Sequence, residues 1–218
     1  MKKIVSFSLW GEDPKYTIGA IENAKLVNEI YHGWISRFYC GKSVPKNIIN
    51  SLKDTPNTEV IIMDEDGDWT GMFWRFLACK DGDVMISRDT DSRLSLREKL
   101  AVDEWLKSDK DFHIMRDHPY HAMEILGGMW GCRNNILKDI ESEMSEYNKG
   151  NFWQVDQNFL REKIYPKVVQ NSFVHDSFFN VEPNKKSFPS ERIDKEFVGD
   201  VFDENNNRHP EYYKFIND

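Results

Sequence analysis

Short runs of strand-forming apolar residues alternate, through the first half of this chain, with segments whose apolar positions recur at helical spacing. Few architectures accept that order. Residues 4–9 form the first apolar run and end at Trp10-Gly11. Asp13-Pro14 then reads as a helix start, Asp as cap and Pro at the first helical position. Ile18, Ile21, Ala24 and Val27 follow at helical spacing. Residues 34–40 read as a second strand, 45–52 as a helix, 60–63 as a third strand and 83–87 as a fourth. Ser95-x-x-Glu98 is a capping box that opens a helix to about Leu106. Residues 112–115 make a further strand, and 136–147 and 156–165 look helical, with Pro166 stopping the latter. The expectation is an α/β fold: a mostly parallel central sheet flanked by helices, in a single domain. We expect the domain to span 1–180 and residues 181–218 to form an irregular tail packed on it or extending from it, with Tyr212, Tyr213 and Phe215 as anchors.

In such sheets ligands bind beyond the carboxyl ends of the strands. Three polar strand ends fall on that edge: Trp10-Gly11, Asp89-Thr90-Asp91 and Asp117-His118. In extended backbone, residues i and i+2 point the same way, roughly 6 to 7 Å apart. Asp89 and Asp91 can therefore share one hard cation, which can clamp a diphosphate. A solvated turn is the ordinary alternative. The formal net charge of −8 gives nucleic-acid binding no electrostatic support. A diphosphate bound to so acidic a chain needs a bridging cation.

Other residue groups carry weaker signals. His175-Asp176 lies between apolar segments, where a hydrogen-bonded core histidine is common and a metal ligand is the sharper alternative. Asp156-Gln157 opens a helix, as a residue favoured by the helix dipole or as a carboxylate facing a sugar carbon. Residues 127–131, Gly-Gly-Met-Trp-Gly, read as a glycine-rich loop whose Trp130 either packs or stacks on a sugar. They match neither a Walker loop nor a dinucleotide fingerprint. Arg75, Arg88 and Arg93 surround the acidic pair; for Arg88 a structural ion pair is favoured. His118 and His121 read as loop contacts. Cys40, Cys79 and Cys132 are few and far apart, which fits small buried hydrophobes rather than disulfides or zinc. No stretch approaches the ~20 apolar residues of a membrane span, so the default location is cytoplasmic.

Residues 6–11 (Ser-Phe-Ser-Leu-Trp-Gly), 87–93 (Ser-Arg-Asp-Thr-Asp-Ser-Arg), 112–119, 127–131, Asp156-Gln157 and Val174-His175-Asp176 occur in an ordered set. Together they resemble glycosyltransferases of the GT-A fold, of the bacterial and virus-encoded type, over about residues 1–180. The resemblance implies transfer from a nucleotide-diphosphate sugar, a UDP-sugar with Mn or Mg, to a glycan or other hydroxyl acceptor. It implies Asp89 and Asp91 as the Asp-x-Asp metal ligands with His175 as a third. Phe7, Ser8, Trp10, Gly11 and Tyr16 would lie near base and ribose, and Arg75, Thr90 and Trp130 near phosphates or sugar. Asp117 and Asp156 would touch the donor sugar, one of them as the catalytic carboxylate. A histidine-completed metal shell resembles the retaining enzymes. The chain is expected as a soluble enzyme or one domain of a longer polypeptide. The alternatives are a metal-dependent nucleotidyltransferase or phosphohydrolase, and a non-catalytic carbohydrate-binding module with Trp69, Trp74 and Trp130 as platforms.

Overall fold

The computed structural model describes residues 1–133 and 136–216. The chain runs β1 (Lys3–Leu9), α1 (Pro14–Ile30), β2 (Ile35–Cys40), α2 (Lys46–Asp54) and β3 (Thr58–Ile62). A 3-10 helix, Trp69–Lys80, precedes β4 (Val84–Ser87), α3 (Leu96–Lys107), β5 (Phe112–Arg116) and β6 (Trp130–Arg133). Then come α4 (Ile140–Glu146), α5 (Val155–Phe159), α6 (Tyr165–Val168), β7 (Ser172–Asp176) and α7 (Pro210–Tyr213). The seven strands form one sheet in the order β3-β2-β1-β4-β6-β5-β7. All neighbours are parallel except β6, which runs antiparallel to β4 and β5. The expected mostly parallel α/β sheet is thus present.

The chain leaves β1 towards β2 on one side and returns to β4 on the other. That reversal opens a crevice beyond the ends of β1 and β4, where ligands bind in open α/β sheets. Alternation sends neighbouring strand residues to opposite faces. Ile4 and Met85 enter one core with Phe76, Phe112 and Trp130, whereas Val5, Phe7 and Ile86 enter the other with Val27, Phe38 and Trp105.

Local chemistry explains the helix ends and two departures from expectation. Asp13 accepts a hydrogen bond from Lys15 N at 3.0 Å, and Ser95 accepts one from Glu98 N at 3.2 Å. Only half of that capping box forms, because Glu98 turns inward to Arg88 Nε (2.6 Å) and the Tyr31 hydroxyl (2.7 Å). Arg88 is therefore an interior ion-pair partner. Pro166 does not stop its helix. The preceding turn, Leu160–Ile164, widens to a π-helix, so Pro166 falls in the first turn of α6, where its missing N–H costs little. Residues 130–131 belong to β6 rather than to a loop. Trp130 is fully buried, stacked on Phe112 at 5.2 Å, and unable to meet a sugar. Cys79 and Cys132, distant in sequence, pack with their sulfurs 3.5 Å apart.

The segment beyond residue 180 folds back over the domain. Lys186 N donates to Val174 O (2.7 Å) and Lys186 O accepts from Asp176 N (2.9 Å), extending the β7 edge. Phe188, Phe197, Val198 and Ile216 are buried; Tyr212, Tyr213 and Phe215, the expected anchors, stay partly exposed or exposed. The tether is Asp117, fully buried. It takes a paired contact from Arg97 (2.8 and 3.0 Å), and bonds from Arg192 Nη2 (2.5 Å), Ser177 Oγ (2.7 Å) and Val198 N (2.9 Å). Among the described residues, no helix is long and apolar enough to cross a membrane.

Candidate active site

A cavity of about 430 Å³ opens at the β1–β4 crevice. Trp10, Gly11 and Tyr16 line one side, Asp89 to Asp91 the floor, and Gly127, Gly128 and Asp156 the opposite wall. Ser8 and Arg75 also reach it. These segments are far apart in sequence, and specific bonds bring them together.

Ser6 and Ser8, on one face of β1, grip the 3-10 helix at Arg75. The Ser6 hydroxyl donates to Arg75 O (2.7 Å), and Arg75 N donates to Ser8 Oγ (3.0 Å). The aspartate loop is held by α1. The carbonyl of Thr90 sits where any side chain at Gly19 would stand. Buried Asn23 donates to Ser92 O (2.8 Å) and accepts from Leu94 N (3.2 Å). From the far side the tail closes the loop: Phe202 N donates to Asp91 O at 2.9 Å. Ser87 Oγ donates to Gly127 O (2.7 Å), joining the end of β4 to the glycine pair.

At the centre, Arg75 bridges two carboxylates. Its Nη1 donates to Asp89 Oδ1, and its Nη2 to Asp156 Oδ2 at 2.8 Å. Arg75 and Asp156 are buried, whereas the Asp89 side chain is 44% exposed. Asp91 pairs with Lys15 Nζ at 2.9 Å. Burial and the neighbouring Asp89 push the Asp91 carboxyl above its ordinary range, against the pull of Lys15. Burial also raises Asp156, opposed by Arg75 and assisted by Asp89. Burial disfavours the charge on Lys15, but Asp91 outweighs it and its pKa is raised. Tyr16 is pushed up by burial and then by Asp91.

The glycine pair serves close approach rather than unusual backbone angles, since neither has positive φ. A side chain at Gly127 would overlap Asp156 Oδ2 and Arg75 Nη2; one at Gly128 would overlap Asp89 Oδ2 and meet Asp89 N at 3.0 Å. Gly128→Ala is therefore expected to keep the fold, because the half-exposed Asp89 can swing out, and to lose cation affinity by about 10- to 100-fold. Calorimetric titration with Mn2+ beside a melting curve checks both halves.

Asp89 and Asp91 each commit one carboxylate oxygen to a cationic side chain and leave the other without a side-chain donor among the described residues. Hard cations that keep water and phosphate oxygens need only one or two protein carboxylates. Among the described residues, no three or more His, Cys, Asp or Glu side chains gather as a metal cluster. The pair fits a cation shared with a phosphorylated ligand better than an all-protein cage.

Four expected residues lie elsewhere. His175, on β7, is fully buried, with Nδ1 2.8 Å from His113 Nε2 and Nε2 3.1 Å from Glu104 Oε2. Both nitrogens are engaged in the interior, so it completes no shell with Asp89 and Asp91. The expectation of retention, which rested on it, loses its basis. Asp117 is consumed by its arginines and the tail. Phe7 is buried against Phe38, ring centroids 4.7 Å apart, because its strand position faces the helical core. Trp130 is interior, as described. Of the three proposed carbohydrate platforms, only Trp69 is exposed, at 44%. The cavity also recruits His121, expected as a loop contact, and Gly199 and Val201, which carried no expectation, with Lys15 behind Asp91. Lys15 sits beside a recognised cap, the one local hint; the tail residues carry none.

No protein-family model matches the sequence, and no curated protein matches it. Solved structures do. A glycosyltransferase involved in glycosylation of the major capsid of PBCV-1 aligns at TM-score 0.54 and 19% identity, over 81% of this chain and 82% of that one. The galactosyltransferase LGTC, in complex with donor and acceptor sugar analogues, aligns at 0.51 and 15%, over 79% and 73%. The mannosyltransferase PcManGT of Pyrobaculum calidifontis, with GDP-Man and Mn2+, aligns at 0.54 and 12%, over 81% and 54%. The fold is thus that of the GT-A glycosyltransferases.

Proposed function

We propose that this chain transfers a sugar from a nucleotide-diphosphate donor, a UDP-sugar, to a hydroxyl acceptor, with a divalent cation at Asp89 and Asp91. The observation that carries the reading is the gathering of Asp89 and Asp156 on Arg75, with Asp91 on Lys15, along one cavity at the sheet's reversal point. Solved neighbours with Mn2+ and GDP-Man, or with Mn2+ and UDP, support it.

A cation held there, Mn2+ or Mg2+, would supply positive charge against the departing diphosphate. The chain's own residues do the rest. Trp10, Gly11 and Tyr16 form the wall for base and ribose. Arg75 holds Asp89 and Asp156 at fixed positions and offsets their charge. Asp156 is the carboxylate assigned to the donor sugar: it lines the cavity, with Oδ2 held by Arg75 and Oδ1 enclosed. From the wall its negative charge can steady positive charge at the reacting carbon. Gly127 and Gly128 let the Asp156 and Asp89 carboxylates lie directly against the backbone of the cavity wall.

The deciding experiment titrates uridine diphosphate into the protein with and without Mn2+. Binding that depends on the cation supports the proposal; no binding, or equal binding without it, refutes it. Incubation with a UDP-sugar should then release uridine diphosphate and free sugar slowly, as transfer to water.

Lys15 gives a second check. Its ammonium neutralises Asp91 through Oδ2 and would oppose, by charge, a cation on the other oxygen. Lys15→Met should therefore raise Mn2+ affinity in the absence of nucleotide by roughly 2- to 5-fold, a partly exposed ion pair being worth up to about 1 kcal/mol. Manganese electron-spin titration reads this directly; an unchanged or lower affinity would refute the competition.

A further inference from the structure

His121 is used by nothing described so far. It stands five residues beyond β5, in the loop tethered by Asp117, and its ring lines the cavity beside Leu126, Met129, Gly199 and Val201. Its Nδ1 accepts a hydrogen bond from Asp117 N at 3.1 Å. A backbone N–H can only donate, so Nδ1 must carry the lone pair. In a neutral imidazole the proton then sits on Nε2. Burial, followed by His118, pushes the pKa down to about 3, which keeps the ring neutral. Nε2 meets no hydrogen-bond partner among the described residues, nor is it among the sealed-off unpartnered atoms. The tail sets the opening: at Gly199 (φ +85°) a side chain would stand 3.8 Å from Nε2 and 3.0 Å from Met129 Sδ.

We infer that His121 is a sugar-binding residue, whose Nε2–H donates to a hydroxyl of the donor's sugar ring. The inference rests on the proposed function. The chemistry favours a hydroxyl over a phosphate. The ring offers one uncharged N–H. Its neighbours in the wall, Leu126, Met129 and Val201, are apolar and suit the C–H faces of a sugar. The nearby cations Arg97 and Arg192 are bound to Asp117 and leave no free positive charge for an anion. The same tautomer argues against His121 as a general base or cation ligand, since the nitrogen facing the cavity holds a proton rather than a lone pair.

The test compares wild type, His121→Phe and His121→Gln by calorimetry with Mn2+ present. The probes are uridine diphosphate, UDP-glucose, UDP-galactose, UDP-N-acetylglucosamine and GDP-mannose. Phe preserves the ring and removes the N–H; the Gln amide can place an N–H near the same point. The best sugar nucleotide should bind His121→Phe about 3- to 10-fold more weakly, the worth of one neutral hydrogen bond. Uridine diphosphate should be unaffected, and Gln should restore part of the loss. Nitrogen NMR of the wild-type imidazole should find the proton on Nε2. Equal weakening of uridine diphosphate would move the contact to the phosphates and overturn the assignment. So would unchanged sugar-nucleotide binding, or a wild type that binds uridine diphosphate but gains nothing from the sugar. If wild type binds no nucleotide at all, the proposed function fails first, and this inference falls with it.

Discussion

Asp91→Ala is expected to abolish cation-dependent binding of uridine diphosphate and to slow transfer roughly a thousandfold, while the chain stays folded. A metal's stabilisation of developing negative charge is worth several kcal/mol, and each 1.36 kcal/mol is tenfold in rate. The fold should survive because the side chain does little for it. Its ion-pair partner among the described residues is Lys15, whose long stem can carry the ammonium to water. The backbone bond from Phe202 N to Asp91 O is untouched. The raised pKa of Asp91 adds a pH signature in the wild type. Only the deprotonated carboxylate serves a cation, so affinity should fall as pH drops, starting above the ordinary Asp value of about 4. Equal binding of uridine diphosphate by wild type and variant, with or without Mn2+, would sink the site.

The second large effect is on stability. Arg75→Met removes the partner of a carboxylate that is 1% exposed. Leaving one member of a buried pair uncompensated costs about 3–5 kcal/mol. The contact with Asp89 is left out of that figure, since Asp89 is 44% exposed and screened by water. The sign with pH follows from Asp156. Its folded pKa already lies above the unfolded value, and loss of Arg75 removes what holds it down. A raised carboxyl favours the folded state below about pH 4 and loses that advantage as pH rises through its folded value. The variant's deficit should thus be smaller near pH 4 than at pH 7. Urea unfolding at the two pH values checks it; equal deficits would mean that Asp156 is not the uncompensated charge.

The sheet was legible because its strands are short apolar runs bounded by helix caps, and both signals are local. Asp13-Pro14 and Ser95 did in the structure what their chemistry suggests. β6 was hidden because it is four residues long, with Gly131 inside it and the Gly127-Gly128 pair just before it. Pro166 misled because a π turn upstream cannot be read from side-chain type. The Asp89-Thr90-Asp91 segment stood out through its place after a buried strand. What surrounds it was not readable, for the partners are distant: Arg75 with Asp156, Gly128 with Asp89, Val201 with Ser92. Histidines and aspartates in apolar surroundings were equally ambiguous. His175 bonds His113 and Glu104, and Asp117 bonds Arg97 and Arg192, away from the cavity, whereas His121, the weaker signal, lines it.

Arg75 and Lys15 have a consequence for how the protein is made. Three carboxylates crowded in one crevice would repel each other during synthesis, and a chain relying on a metal to quiet them could not mature without it. Here the chain brings its own counter-charge: Arg75 lies between Asp89 and Asp156, and Lys15 lies against Asp91. Both cations come from the elements that follow β1 and β3, so the same folding step that gathers the carboxylates also neutralises them. The protein should accordingly fold to the same stability in a chelator as in its absence.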